Sequence, residues 1–227
     1  MPGNWNGAEL AAAIDHTLLV PDATVAAIER LCDEAREQRF AAVCVNGVHV
    51  RRCAERLAGS GVAVCSVVAF PLGACVPRVK AFEARAALED GARELDMVLD
   101  LGALKAGDDG LVRDGIALVV AEARAPCFHG ALVKVILETA LLTHDEKLRA
   151  CRLAEGAGAD FVKTSTGFGP GGATVEDVAL LRSSVGARIG VKAAGGIRTA
   201  SFARELLRAG ATRLGCSQSL AVIHAAD

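Results

Sequence analysis

Aromatic residues are scarce in this sequence of 227 residues: tyrosine is absent, and phenylalanine, tryptophan and tyrosine together make up only 4%. Hydrophobic residues nonetheless account for 52% of the chain, so alanine, valine and leucine are expected to form most of the interior. Small aliphatic side chains are typical of helices that pack closely on a buried parallel sheet. The composition therefore favours an α/β protein over a β-sandwich. The length fits one domain spanning residues 1–227.

Tracts of like charge and long apolar runs are also missing. Twenty-five basic residues balance twenty-seven acidic ones, and no basic tract suggests a surface for nucleic acid. The longest apolar run, Val62 to Phe70, is too short to span a bilayer. No lysine or arginine precedes Arg30, so the start of the chain lacks the charged region of a signal peptide. We expect a cytoplasmic protein that binds a small molecule and neither nucleic acid nor membrane.

The usual sequence signatures of metal sites and disulfides do not occur. The eight cysteines contain no C-x-x-C pair, and several lie inside apolar runs, where reduced thiols pack as small hydrophobic groups. The five histidines have no H-x-x-x-H spacing. These patterns predict free thiols and no metal ion.

One pattern does recur along the chain. An alanine-rich amphipathic stretch ends in Gly-Ala and is followed directly by an apolar run in "EDGARELDMVLD", "AGADFVKTS", "VGARIGVKA" and "RAGATRLGC". The left-handed conformation that closes many helices is expected at the glycine of each repeat. The glycines are Gly91, Gly158, Gly186 and Gly210. Each repeat is therefore interpreted as a helix that leads into a strand.

Two threonines have the spacing of helix starts. Thr143 precedes Glu146 by three residues, and Thr174 precedes Asp177 by three. At this spacing, the hydroxyl and the carboxylate can each accept a hydrogen bond from an exposed backbone N–H.

Extending the pattern towards the N-terminus gives eight strands. Further strands are predicted at "AAVCVN" (41–46), "VAVCSVVAF" (62–70) and "ALVKVILE" (131–138), with the first near Ile14 to Thr17 and the eighth near Arg213 to Ser217. Most strand starts are roughly 20 to 40 residues apart, which is the size of a βα unit. Eight such units without a linker predict a (β/α)₈ TIM barrel. A doubly wound sheet is the alternative.

Several charged residues stand inside these otherwise apolar strands. They are Asp15, Asp96, Asp100, Lys134, Glu138, Lys163 and Lys192. Charged side chains are seldom buried without a partner. A structural ion-pair network would satisfy them. The C-terminal ends of barrel strands, however, are also where the active sites of such proteins lie.

Two of the lysines have equivalent positions in neighbouring strands. Lys163 in "FVKTS" and Lys192 in "GVKAAGG" are 29 positions apart, about one βα unit, so we expect them to be neighbours in space. Partial burial and a nearby cation both disfavour the charged form of an amine, and a neutral lysine can attack a carbonyl to form a Schiff base. Asp96, two strands earlier, could transfer protons directly or through water.

Glycine-rich turns follow the last three predicted strands. They are "GFGPGG" (167–172), "AGG" (194–196) and "GCSQS" (215–219). Barrels commonly bind phosphate there through backbone N–H groups and a helix N-terminus. A phosphorylated substrate is therefore expected.

Taken together, these segments resemble the deoxyribose-phosphate aldolase family of class I aldolases. The matching segments are "IDHTLLVPDAT" (14–24), "VCVN" (43–46), "FPLGA" (70–74), "FEARAALEDGARELDMVLDLGALKAG" (82–107), "VKVILETALLT" (133–143), "ADFVKTSTGFGPGGATVEDV" (159–178) and "GVKAAGGIRT" (190–199). The resemblance implies a (β/α)₈ barrel that reversibly cleaves 2-deoxy-D-ribose 5-phosphate to acetaldehyde and D-glyceraldehyde 3-phosphate. It also implies that no metal or organic cofactor takes part, and that the reaction belongs to deoxyribose phosphate catabolism.

The resemblance further implies a role for each matching residue. Lys163 would form the Schiff base, Lys192 would keep that amine reactive, and Asp96 would donate and accept protons. Substrate contacts or ordered water would involve Asp15, Cys44, Lys134 and Thr166. The phosphate-binding turns would be formed by Gly167, Gly195, Gly196 and Ser217.

Some positions depart from the family pattern. Gln218 stands where many relatives have a second serine, Val20 stands where lysine is common, and a C-terminal tyrosine is missing. Two other functions therefore remain open: a phosphosugar-binding barrel without catalysis, and a Schiff-base aldolase for a different acceptor aldehyde. A homodimer is one hypothesis for its assembly.

Overall fold

The computed structural model describes residues 5–128 and 130–225. Eight parallel strands pair in chain order, and the eighth pairs with the first, so the sheet closes into a barrel. The strands are β1 (Ile14–Leu18), β2 (Ala42–Val45), β3 (Ala63–Val68), β4 (Glu94–Val98), β5 (Leu132–Ile136), β6 (Phe161–Lys163), β7 (Gly190–Ala194) and β8 (Arg213–Cys216). The predicted (β/α)₈ barrel is confirmed, and the doubly wound alternative is wrong because the sheet has no open edge.

Helices cover the outside of the barrel. They are α1 (Gly7–Ala11), α2 (Val25–Gln38), α3 (Val50–Arg56), α4 (Pro77–Glu89), α5 (Leu101–Ala106), α6 (Asp109–Ala123), α7 (His144–Gly156), α8 (Val175–Ser184), α9 (Ala200–Arg208) and α10 (Ser219–His224). Short 3-10 turns lie at Gly47–His49, Pro126–Phe128 and Thr139–Leu141. In the described part of the chain, no helix has both the length and the hydrophobicity needed to cross a bilayer.

The alternation of side chains along each strand separates two environments. On β4, Leu95 and Met97 belong to the large apolar core between strands and helices. Glu94 and Asp96 are also buried, but they face the barrel interior, as the two-residue period of a strand requires. The barrel interior holds a small apolar cluster of Leu19, Ala42, Cys44, Cys65 and Val67 together with buried charged groups.

Both helix starts predicted from threonines are present, but only one has the complete reciprocal cap. Thr143 and Glu146 form the predicted reciprocal cap at the start of α7. Thr174 caps α8, but the Asp177 carboxylate accepts from Lys147 Nζ at 2.6 Å instead of completing the cap.

The helix-closing glycines match the prediction at three of the four repeats. Gly91, Gly158 and Gly210 have φ values of +106°, +88° and +111°. The prediction is wrong for Gly186, because α8 ends in an extended Val185. Gly186 N instead donates to Glu155 Oε1 at 3.1 Å, and a Cβ atom at Gly186 would displace the end of that glutamate side chain.

Candidate active site

A buried cluster of charged side chains fills the barrel interior. Three carboxylates face four cationic side chains, and the seven residues come from six different strands. The members are Asp15, Glu94, Asp96, Lys134, Lys163, Lys192 and Arg213. Closure of the barrel brings these residues together, since each strand contributes only one or two of them.

Asp96 lies at the centre of the cluster. Its Oδ2 accepts from Lys163 Nζ at 2.6 Å and from Lys192 Nζ at 2.7 Å, and its Oδ1 accepts from Lys134 Nζ at 2.9 Å. Cys65 Sγ lies 3.1 Å from Oδ1 as well. Burial by itself would raise the pKa of Asp96, but the three ammonium groups hold that pKa well below its ordinary value. Asp96 is therefore a carboxylate that three lysines share.

Lys163 and Lys192 are register partners on β6 and β7, as their positions in the sequence predicted. Besides Asp96, Lys192 donates a short hydrogen bond to Asp15. Burial opposes the charge on Lys192, yet Asp15 and Asp96 outweigh it and raise its pKa. Lys192 is thus held as an ammonium ion next to Lys163. The pKa of Asp15 falls to about 2, because Lys192, Lys134 and Arg213 overcome the effect of burial.

Two members of the cluster were not predicted to be site residues. Arg213 Nη1 lies 2.6 Å from Asp15 Oδ1 and 3.1 Å from Glu94 Oε2, and Glu94 also binds Lys134 Nζ at 2.5 Å. With Asp96 and Asp15, Glu94 raises the pKa of Lys134, against the effect of burial. The two-residue spacing of Glu94 and Asp96 in "ELDMV" could have identified Glu94, because both must face the same side of β4.

Lys163 differs from the other two lysines in its surroundings. Asp96 is its one carboxylate partner within 4.0 Å among the residues described, whereas Lys134 has three such partners and Lys192 has two. Lys163 also lines an open cleft of about 310 Å³. Lys163, although only 3% exposed, is therefore the member of the cluster that meets the cleft.

The cleft is formed by the segments that follow four strands. Its walls come from the chain after β1, β6, β7 and β8. Five of the residues predicted to contact substrate line the cleft: Thr166, Gly167, Gly195, Gly196 and Ser217. The buried residues that do not line it are Asp15, Cys44, Asp96, Lys134 and Lys192.

The glycine-rich turns after β6 and β7 pack backbone against backbone. Gly195 has a φ of +91°, and a Cβ atom there would lie 2.9 Å from Gly172 Cα. A Cβ atom on Gly172 would lie 2.4 Å from Gly195 O. Neither position accommodates a side chain, so the two turns form one wall of the cleft. Arg198, which follows this wall, also lines the cleft and is exposed.

Two acidic residues just after strands, Asp100 and Glu138, do not form ion pairs with the lysines of the cluster. The ion-pair network considered from the strand pattern therefore does not include them. Asp100 caps α5 by accepting from Ala103 N at 2.9 Å. Glu138 accepts from Thr166 N at 3.2 Å and makes a short hydrogen bond with the Thr166 hydroxyl.

Two groups of potential metal ligands occur in the described residues, and both lie inside the cluster. They are Cys44, Cys65 and Asp96, and Asp15, Cys65 and Glu94. The carboxylates of both groups already pair with lysine or arginine. A metal ion there would have to compete with those cations, so lysine and arginine side chains are the positive charges of this site.

The sequence and the fold of the chain resemble those of known aldolases. The model of the DeoC/LacD family aldolases matches residues 10–222. The deoxyribose-phosphate aldolase of Geobacillus sp. (strain WCH70) is 55% identical over 214 residues, which cover 94% of each chain. That of Listeria monocytogenes serotype 4a (strain HCC23) is 54% identical with the same coverage.

Among solved structures, the tetrameric deoxyribose phosphate aldolase from Aeropyrum pernix is 35% identical and has a TM-score of 0.89. The match covers 96% of this chain and 91% of that one. The family match spans nearly the whole barrel, including every strand that carries a member of the charged cluster. The chain therefore belongs to the DeoC/LacD family of aldolases.

Proposed function

We propose that the chain is a single-domain class I aldolase that reversibly cleaves 2-deoxy-D-ribose 5-phosphate to acetaldehyde and D-glyceraldehyde 3-phosphate. The observation that carries this proposal is the position of Lys163, which lines the cleft and donates to Asp96 over 2.6 Å. An amine at the floor of an open cleft, next to a proton acceptor, is the arrangement that Schiff-base chemistry needs.

The charges of the cluster support Lys163 as the nucleophile. With every group ionised, four cations face three carboxylates. A neutral amine at Lys163 leaves three cations opposite three carboxylates. Lys163 is also the lysine with the fewest carboxylate partners, so its charge is the least stabilised by direct ion pairs.

The proposed reaction gives each of these groups a step. The Lys163 amine adds to the aldehyde carbon of the open-chain sugar, and loss of water gives an iminium ion. Removal of the proton from the C3 hydroxyl breaks the C2–C3 bond, releases glyceraldehyde 3-phosphate and leaves an enamine on Lys163. Protonation of that enamine and hydrolysis of the iminium ion release acetaldehyde. Asp96 begins as a carboxylate and accepts protons directly or through water, and the Lys192 ammonium supplies them.

The phosphate end of the sugar is assigned to the wall of glycine turns. Gly167, Gly195, Gly196 and Ser217 line the cleft around it, and Arg198 adds a positive charge at its rim. Backbone N–H groups in such turns are suited to anions. Asp15, Lys134 and Cys44 are buried below this surface, so their role is to hold the catalytic groups.

A second candidate is a Schiff-base aldolase with another acceptor aldehyde. Gln218, which occupies a position where many family members have serine, lines the cleft and precedes α10. A larger amide in this position would alter the fit of the phosphate. The non-catalytic alternative is disfavoured, since binding a phosphosugar does not require lysines that share one carboxylate.

Borohydride trapping tests the proposal. The protein is treated with acetaldehyde and sodium borohydride, and the reduced adduct is located by peptide mass mapping. We expect one adduct, on Lys163, and none in Lys163→Arg. Lys105→Arg is the matched control, because Lys105 lies on α5 and is exposed. A folded protein that binds deoxyribose phosphate but gives no adduct would support the binding-only function.

The cellular setting is part of the proposal. All eight cysteines are free thiols, which fits the reducing cytoplasm. A homodimer is supported by an exposed apolar face where Val76, Val79 and Phe82 recur every three residues, and Phe82 is 72% exposed. Light scattering should detect a dimer that Phe82→Lys dissociates. A monomer at all concentrations would contradict it.

A further inference from the structure

Glu138 lies just beyond β5 in a conformation that few residues adopt. Its φ is +54°, in the left-handed region, where a residue with a side chain is strained. The neighbouring backbone fixes it: Thr139 N donates to Thr164 O at 2.9 Å, and Leu141 N donates to Glu138 O at 3.0 Å. Glu138 is buried, with an exposure of only 3%. Strain of this kind is often found at functional sites.

The Glu138 carboxyl group contacts the turn after β6. Oε2 accepts from both the backbone N–H and the hydroxyl of Thr166. The same hydroxyl oxygen accepts from Phe168 N at 3.0 Å. Gly169 packs directly on the carboxyl group, since a Cβ atom there would lie 2.8 Å from Glu138 Cδ. One carboxyl group thus fixes the turn from Thr166 to Gly169.

These contacts occupy the Thr166 hydroxyl group both as a donor and as an acceptor. Its proton goes to Glu138, and its oxygen accepts from Phe168 N, so the hydroxyl is used to shape the turn and not to donate to a substrate. Thr166, Gly167 and Phe168 all line the cleft, whereas Glu138 does not.

An ion pair does not explain Glu138. Within the described residues, no lysine, arginine or histidine nitrogen lies within 4.0 Å of it. A carboxyl group close to a phosphate site also opposes the binding of an anion. Its presence there is explained by the geometry it imposes on the turn, since Thr166 stands between it and the cleft.

We propose that Glu138 is a positioning residue for the phosphate end of the substrate. By holding Thr166, it fixes the turn whose backbone faces the phosphate, and so sets the preference for a phosphorylated over an unphosphorylated sugar. This inference rests on the proposed function.

The test compares Glu138→Ala with Glu138→Gln on 2-deoxyribose 5-phosphate and on 2-deoxyribose. We expect Glu138→Ala to raise the KM for the phosphorylated sugar about tenfold and to lower the ratio of the two kcat/KM values by the same factor. Glu138→Gln should keep the wild-type ratio of the two kcat/KM values. The glutamine carbonyl can accept both Thr166 hydrogens, and its NH2 group takes the place of Oε1, which has no partner among the described residues.

Thr166→Val is the second variant, and it removes the donor of the same side-chain hydrogen bond, whereas Glu138→Ala removes the acceptor. It should change the ratio in the same direction, and the Glu138→Ala/Thr166→Val double variant should add little to either single one. Equal losses on both sugars in a variant with an unchanged melting temperature, or no loss on either, would overturn the inference.

Inhibition by inorganic phosphate separates this inference from the proposed function. We expect inorganic phosphate to inhibit Glu138→Ala more weakly than the wild type. Direct binding of inorganic phosphate should also be weaker in Glu138→Ala, and this can be measured even if the wild type cleaves neither sugar. Absence of cleavage by the wild type would contradict the proposed function alone. A wild type that cleaves the sugar, with identical phosphate binding in Glu138→Ala, would contradict the inference alone.

Discussion

Lys163 and Lys192 donate to the same oxygen atom, Asp96 Oδ2, over 2.6 and 2.7 Å. One carboxylate oxygen therefore joins the lysine that faces the cleft to a lysine that is fully enclosed. Proton transfer between the three groups requires no large movement.

Asp96→Asn should separate capture of the aldehyde from turnover. An amide cannot accept the proton as the carboxylate does, so we expect kcat to fall by about 10²- to 10⁴-fold. Borohydride should still trap acetaldehyde on Lys163. The matched control is Asp100→Asn at the end of the same strand, where asparagine can replace aspartate as the cap of α5. Similar losses of kcat in both variants would refute the role of Asp96.

Lys192→Leu should affect both stability and pH dependence. It removes a cation that lies between Asp15 and Asp96, and loss of one partner from a buried ion pair costs about 3–5 kcal/mol. Urea unfolding should detect this loss. Asp15→Asn combined with Lys192→Leu should cost less than the sum of the two single variants. Trapping on Lys163 should also require a higher pH in Lys192→Leu, and an identical pH profile would exclude coupling between the two lysines.

Acid should destabilise the protein partly through Asp15. Its pKa is about 2 in the folded state against an ordinary value of 3.8, so the unfolded chain binds the proton first as the pH falls. The contribution, about 2 kcal/mol, is complete above pH 4 and is lost as the pH falls towards 2. The difference in unfolding free energy between wild type and Asp15→Asn should therefore shrink over this range. A difference that does not vary with pH would contradict this assignment.

Arg198→Ala should weaken binding of the phosphorylated sugar and leave the chemical step intact. Because Arg198 is exposed at the rim, we expect the KM to rise about 2- to 5-fold, and less at high salt. Arg208→Ala, which removes an exposed arginine at the other end of α9, is the control. An unchanged KM at low salt would remove Arg198 from the phosphate site.

The barrel and its reacting lysines could be predicted because both depend on local patterns. Helix-to-strand repeats gave the order of the elements, and a lysine near the end of an apolar strand can be recognised without knowledge of its neighbours. Arg213 is different. Its partners Asp15 and Glu94 are far away in sequence, and they meet it only through the closure and stagger of the barrel.

Glu138 could not be placed correctly because strand periodicity ends before it. The two-residue period directs Lys134, Ile136 and Glu138 to one side, but β5 ends at Ile136, and the left-handed turn directs Glu138 towards Thr166. The predicted left-handed conformation of Gly186 was wrong for a similar reason. Its Gly-Ala motif is identical to the others, and only the extended backbone of Val185 distinguishes it.

The contact between Gly172 and Gly195 limits how this cleft can evolve or be engineered. Each glycine leaves no room for a side chain on the other, so the segments after β6 and β7 constrain each other at these two positions. A graft that changes the substrate range has to keep glycine at both of them. Directed libraries in either segment should therefore leave that glycine fixed.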